Sequence, residues 1–197
     1  MLQGGSIMPP SVRIRREEIL RAAFELVREE GAEALNVRAV AKRIGCSTQP
    51  VMYHFHSVAE LKKEVYIISD EYHTRYLTQQ TEPSLHAVGM AYIRFAREER
   101  HLFRFLFQSD AFACRSLDEL IAAPELTPVL EAIAASAHIS PEQARESFRV
   151  LFLLVHGYAS MFANNAMTAD DAAIESDLDR VFRLLIAKGE EFHAEAL

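Results

Sequence analysis

Four side chains within one short stretch, Thr48, Gln49, Tyr53 and His54, can each hydrogen-bond a base edge or a phosphate if a single helix presents them together. A Gln amide pairs a donor with an acceptor in the pattern that matches adenine in a major groove, and a Thr hydroxyl serves several bases. Val51 lies between them and can touch a thymine methyl. The element that must position them is a helix from Thr48 to about Phe55, opened by Ser47 as cap, with Pro50 tolerable in the first turn. Ahead of it, Asn36 can cap a helix in which Val37, Val40, Ala41 and Ile44 recur at helical spacing, with Arg38 beside them. Gly45 can take the positive φ that reverses the chain. Two short helices meeting at a glycine-bearing turn predict a helix-turn-helix over about residues 36–55, which is a DNA-reading head.

The elements around this motif must carry it. A preceding helix is predicted from near Val12 to Arg16 through to Glu30, because Ile19, Leu20, Ala23, Phe24 and Val27 share one face and Gly31 ends the run. Arg13, Arg15 and Arg16 in its first turn oppose the helix dipole, a cost that fits nearby phosphates or is balanced by Glu17 and Glu18. Ser57 with Glu60 makes a capping box for the next helix, in which Val58, Leu61, Val65, Ile68, Tyr72 and Tyr76 follow at steps of three and four. Such a helix can act as a lever on the head.

A helix ending at Gly31, then LNVRAVAKRIGCS, then YHFHSVAEL leading into a long helix, resembles the DNA-binding domain of the TetR (tetracycline repressor) family of transcriptional regulators over about residues 12–70. The resemblance implies DNA contacts at Asn36, Val37, Arg38, Thr48, Gln49, Pro50, Tyr53 and His54, and a helical ligand-binding and dimerisation body beyond the long helix. Met52 stands where the family commonly has a tyrosine and Val58 where it commonly has a lysine. Both usual residues can bind phosphate, so fewer backbone contacts are expected, or contacts drawn from His56, Lys62 or the basic N-terminal segment.

Half of the 197 residues are hydrophobic, enough for a sizeable core. The formal charge of −7 argues against a nucleic-acid partner until its distribution is read. Up to Tyr66 there are ten Lys/Arg against eight Asp/Glu, which leaves eleven basic and twenty acidic residues beyond it. A mildly basic head on an acidic body implies DNA affinity from a few well-placed phosphate contacts, doubled by dimerisation. Cys46 and Cys114 fit no metal-ligand spacing and read as reduced cytoplasmic thiols. No apolar run approaches the roughly 20 residues that span a bilayer, and the opening MLQGGSIMPP lacks the order of a secretory signal.

In the remainder, Glu82, Pro83 and Ser84 mark a break before a helix with Leu85, Val88, Ala91, Tyr92 and Phe95 that runs to about Glu98. A short helix from His101 to about Gln108 is apolar nearly all round, so it must be enclosed by protein or line a cavity. Helical pieces are expected over Ala111 to Ala123 and Pro128 to His138. Ser140 and Pro141 then open a long helix to about Met167, and acids from Asp170 open a last one. Tyr92, Phe95, Phe103, Phe107, Phe152, His156 and Phe162 form the candidate ligand pocket, although a dense aromatic cluster is also what an ordinary core looks like. Leu151, Val155, Tyr158 and Ala159, with Ile174, Leu178, Val181 and Leu185, are the candidate dimer interface, the alternative being that both helices are buried within one chain; Gly157, Ser160 and Ala163 let another helix come close. His101 and His156 can meet in the body and face a ligand or metal, although an ordinary core or surface histidine is the commoner case for each.

No GxSxG, HExxH, P-loop or dinucleotide-binding turn is present, so no enzyme, cofactor or metal site is expected. The expectation is therefore an all-α, cytoplasmic homodimer. A leader over 1–11 is disordered, 12–57 holds a three-helix head, 58–76 connects, and 77–197 is the body. It would repress from a palindromic DNA operator until an unidentified, small and mostly apolar effector releases it. The rivals are a DNA-binding regulator without an effector, its body serving dimerisation or a protein partner, and a helical enzyme.

Overall fold

The computed structural model describes residues 14–79, 85–111, 116–165 and 167–194, with side-chain surroundings for all of these except 125, 136 and 186–194. The leader 1–11, the helix start near Val12, Arg13, the break at Glu82 to Ser84, and Cys114 lie outside the described residues. Among those residues every regular element is helical: α1 Arg16–Glu30, α2 Val37–Arg43, α3 Thr48–His54, α4 Val58–Thr78 and α5 Leu85–Glu98, then α6 Arg100–Phe107, α7 Leu117–Ile121, α8 Thr127–Ala137, α9 Pro141–Asn164 and α10 Asp171–Ala194. The chain divides into two compact units, Met1–Val65 and Tyr66–Leu197, and the division falls inside α4.

In the first unit, α1 packs on both α2 and α3. Ile19, Ala23 and Val27 of α1 share a core with Val40, Ala41, Val51, Phe55, Leu61 and Val65, all of them buried. Each fully buried Val, Leu, Ile or Phe contributes about 1.5–3 kcal/mol. The N–H of Gly31, at φ 91°, donates to Val27 O at 2.9 Å, so α1 stops where the sequence places its end. Its basic start is tied down locally. The Arg15 backbone N–H donates to Glu18 Oε2 at 2.8 Å and its guanidinium to Glu18 Oε1 at 3.2 Å. Arg16 lies over the Phe55 ring at 4.8 Å and pairs with Glu64 at 3.2 Å.

In the second unit α9 is the hub, against which α5, α6, α7, α8 and α10 all pack. Gly89 permits a close approach of α5 to α9 and α10, since a Cβ there would lie 3.4 Å from Val155 Cγ2 and 3.8 Å from Leu178 Cδ1. Ser140 and Gln143 cap each other's backbone N–H groups to open α9, the Pro at its first position following the expected start signal.

Three expectations change. Of the piece expected over Ala111 to Ala123, the described residues are α-helical from Leu117 to Ile121, where Ser116 Oγ accepts from the Glu119 N–H. The helix expected to reach Met167 ends at Asn164, because Asn165 takes extended backbone. The stripe on α4 also shifts: in place of Ile68, Tyr72 and Tyr76, the buried positions run Leu61, Val65, Ser69 and His73 at steps of four. No described helix is long and apolar enough to cross a membrane.

Candidate functional site

The turn between α2 and α3 is built by hydrogen bonding as much as by glycine. Gly45 sits at φ 69°, its N–H donates to Lys42 O at 3.2 Å, and the Cys46 N–H donates to Ala41 O at 3.0 Å. That pair of bonds closes the last carbonyls of α2 and turns the chain sharply into α3. Ser47 occupies the cap position of α3, but its side chain makes no capping bond, contrary to expectation. The anchor of α3 is apolar, with Val51 and Phe55 buried in the head core.

That anchoring decides which residues remain outside. Thr48, Gln49, Met52 and Tyr53 are exposed on α3, Tyr53 at 73%, together with Arg38 and Lys42 on α2; Val37 and Pro50 are half-buried. Val51, expected to touch a thymine methyl, is instead 0% exposed and cannot reach a duplex. His54 also departs from its expected role. Its Nε2 is hydrogen-bonded to Ile14 O at 3.0 Å, which ties the end of α3 to the residues before α1. Asn36 spends its side chain on the fold, with Oδ1 accepting from the Ala39 N–H at 2.9 Å and Nδ2 donating to Ala34 O at 3.0 Å. A bidentate pair from Arg43 to Glu29, at 2.9 and 2.6 Å, braces α2 on α1 and holds the Glu29 carboxyl below its usual range.

A second candidate site lies in the body. Tyr92 of α5 meets Phe103 at 5.7 Å, Phe107 at 5.4 Å, Phe152 at 6.3 Å and His156 at 6.2 Å between ring centroids. The Tyr92 hydroxyl and His156 Nδ1 are hydrogen-bonded at 3.0 Å, and burial raises the phenol pKa while lowering that of the imidazole. Phe95 joins through His73, whose ring centroid lies 4.8 Å from Phe95, 5.4 Å from Tyr92 and 5.1 Å from Phe107. Phe162 does not share these ring contacts; it stacks with Tyr158 and lies under the Arg97 guanidinium.

His73 is the residue that sequence reasoning missed. It is 7% exposed, its Nε2 has no hydrogen-bond partner, and burial holds its pKa at about 4. An unpartnered buried polar atom costs about 1–3 kcal/mol. The signal that could have found it is the four-residue step from Leu61 through Val65 and Ser69. The expected meeting of His101 with His156 does not occur in the form foreseen: His101 Nδ1 is 3.0 Å from Arg104 Nη2, and His156 is held by Tyr92. A surface cleft of about 260 Å³ lies elsewhere, lined by Asp118, Ile121, Ala122, Arg145 and Arg149. Among the described residues, no three His, Cys, Asp or Glu side chains gather to hold a metal.

The expected dimer interface is corrected by burial. Leu151, Val155, Ala159, Ile174 and Leu178 are each less than a tenth exposed within one chain, because they form the α5, α9 and α10 core. Tyr158, Val181 and Leu185 are half-buried, and the Tyr158 hydroxyl donates to Asp177. The outer face of α9 carries Leu153 at 53% and Met161 at 38% exposure, and α10 carries Leu184 at 61%. Gly157 shares that outer face with no atom within 4 Å of a Cβ placed there.

The chain matches the sequence family described as the tetracyclin repressor-like C-terminal domain over residues 85–188, and bacterial regulatory proteins of the tetR family over residues 19–65. It is similar in fold to a transcriptional regulator from Pseudomonas aeruginosa PAO1, at 18% identity, covering 89% of this chain and 93% of that one, with a TM-score of 0.66. A TetR variant from Acinetobacter baumannii AYE in complex with minocycline follows at 19% identity, 91% and 98% coverage, and a TM-score of 0.52. The multidrug binding protein EbrR complexed with imidazole is 20% identical over 92% and 97% of the two chains, with a TM-score of 0.51. No curated protein matches the chain.

Proposed function

The chain belongs to the TetR family of bacterial regulatory proteins, and from that premise we propose that it is a homodimeric repressor that leaves a palindromic DNA operator when a small, mostly apolar effector enters its body. As a member of that family it is a DNA-binding transcriptional regulator. The observation that carries the finer reading is the division of α3 into two faces. Val51 and Phe55 hold the helix from beneath while Thr48, Gln49 and Tyr53 stand clear. Gln49 and Thr48 are assigned to base edges, and Arg38 and Tyr53 to the backbone, with the half-buried Val37 and Pro50 shaping the approach. Asn36 and His54 act through position, the first as the cap of α2 and the second as the clamp on Ile14. The head is assigned to residues 12–57, the connecting helix to 58–76 and the body to 77–197.

Dimerisation is assigned to the outer faces of α9 and α10, through Leu153, Gly157, Met161 and Leu184, with half-buried Val181 and Leu185 at the edge. The exposure of these apolar residues supports this, since a monomer gains nothing from leaving them in water. Two heads would then read half-sites about 34–36 Å apart, or a multiple of that. Effector control is supported by the aromatic cluster around Tyr92, and by the minocycline and imidazole held by two proteins of the same fold. An effector that prefers one body state needs to supply only about 1–3 kcal/mol of coupling. The protein is assigned to the cytoplasm, where its operator is.

Selection of bound sequences from a random duplex pool tests this reading. A two-fold symmetric consensus is expected, and an asymmetric or absent consensus would overturn the dimeric-operator assignment. A second reading, a regulator without an effector, is favoured by the packing of the body rings on one another at 5 to 6 Å. Thermal-shift screening with apolar compounds separates the two.

A further inference from the structure

Among the described residues, the arginines of the body are drawn away from the rings around Tyr92. Arg75, Arg94 and Arg100 are exposed, Arg97 pairs with Asp171, Arg104 turns to the α6 backbone and His101, and Arg149 pairs with Asp118. Two carboxylates at the end of α5 are also engaged, with Glu99 accepting from the Tyr72 hydroxyl at 3.0 Å and Glu98 from the Tyr76 hydroxyl at 2.6 Å. The polar atoms that the described rings themselves carry are those of imidazole and phenol. One of them, His73 Nε2, is enclosed and unsatisfied.

We propose that the effector is a neutral, flat, mostly aromatic molecule carrying a hydroxyl or carbonyl group, and that this group hydrogen-bonds His73 Nε2. The proposal rests on the reading that the body binds an effector. A neutral imidazole can accept from a hydroxyl or donate to a carbonyl, whereas a carboxylate ligand would need a counter-charge that the cluster does not supply. Burial keeps both His73 and His156 neutral near pH 7, which removes the positive charge that these two rings could carry. The ring that gives way is Phe107. It is half-buried, ends α6, and lies 5.1 Å from the His73 ring, and in this proposal the effector's ring takes the place that it now fills. The Tyr92–His156 pair stays satisfied throughout and serves as a wall.

Calorimetric titration of the full chain with four matched probes tests the assignment: 2-naphthol, naphthalene, 2-naphthoate and a naphthyl trimethylammonium salt. The naphthol is expected to bind about tenfold more tightly than naphthalene, the factor that one buried hydrogen bond supplies. It should also move the imidazole ¹⁵N resonances of His73 in NMR spectra, a readout that needs no variant. His73→Phe should bring the naphthol-to-naphthalene ratio to about one while naphthalene still binds. His73→Gln, which keeps a nitrogen near Nε2, should restore part of the preference. Equal binding of naphthol and naphthalene with a still His73 resonance, or preference for either charged probe, overturns the polar anchor and leaves the effector reading standing. No binding of any probe, with no compound found by thermal shift, overturns both.

Discussion

Gly45 and Gly157 have the same side chain and opposite reasons for it. Gly45 sits at φ 69° with nothing within 4 Å of a Cβ, so its constraint is chirality and not space. Gly45→Ala should cost about 1–2 kcal/mol, read as a lower urea midpoint for the head. Gly157 is in ordinary helix with the same open surroundings. Gly157→Ala should leave one chain as stable or slightly more so, by up to about 1 kcal/mol, yet weaken self-association measured by sedimentation. His73 makes a residue-scale prediction in pH. The folded imidazole titrates at about 4 against the usual 6.5, so the unfolded chain binds more protons between those values and stability falls as pH drops through that window. The loss between pH 7 and pH 5 should be about 2 kcal/mol larger in the native chain than in His73→Phe, by urea unfolding at the two values. Above pH 6.5 the titration contributes fully, and there His73→Phe should still be the more stable chain, because it removes an unsatisfied buried nitrogen.

Among the elements, α3 separates stability from recognition most cleanly. Val51→Ala removes buried methyls and should cost the head about 2 kcal/mol in thermal unfolding. Gln49→Ala should leave unfolding unchanged and weaken operator binding by about 1–3 kcal/mol in fluorescence anisotropy. The hydrophobic periods of α1, α2 and α5 were legible because the apolar residues of each face the core of its own unit, and Gly31, Gly45 and the Ser140–Pro141 pair stand at real ends. The error at Val51 has a physical cause: a seven-residue helix that also carries Thr48, Gln49, Tyr53 and His54 has too few apolar residues to set a period, and only tertiary packing turns the valine inward. The α4 stripe failed for a related reason. Ile68 and Tyr72 are the more hydrophobic types, yet the packing buries Ser69 and His73, and composition carries no trace of that choice.

For the whole molecule, the sequence shows two long apolar helices but does not say which side of each is spent within the chain. Each of α9 and α10 has two apolar faces, and the richer one turned out to be internal. That distinction is testable. Leu153→Asp with Leu184→Asp should give folded monomers by light scattering and a large loss of operator affinity, because each half-site would then be held alone. Leu151→Ala should instead lower stability by about 2–5 kcal/mol with the oligomeric state unchanged. If the double aspartate chain remained dimeric, the outer faces would be the wrong ones.

The brevity of α3 sets a limit on information. Its seven residues rise about 10 Å, the span of roughly three base pairs, and the buried Val51 narrows the legible edge further. Two such readers distinguish on the order of a few thousand words, while a bacterial chromosome offers about a million or more starting points. Address in the genome must therefore come from the gap between the paired words and from how readily the intervening duplex bends, and spacer length should matter to this regulator as much as spelling.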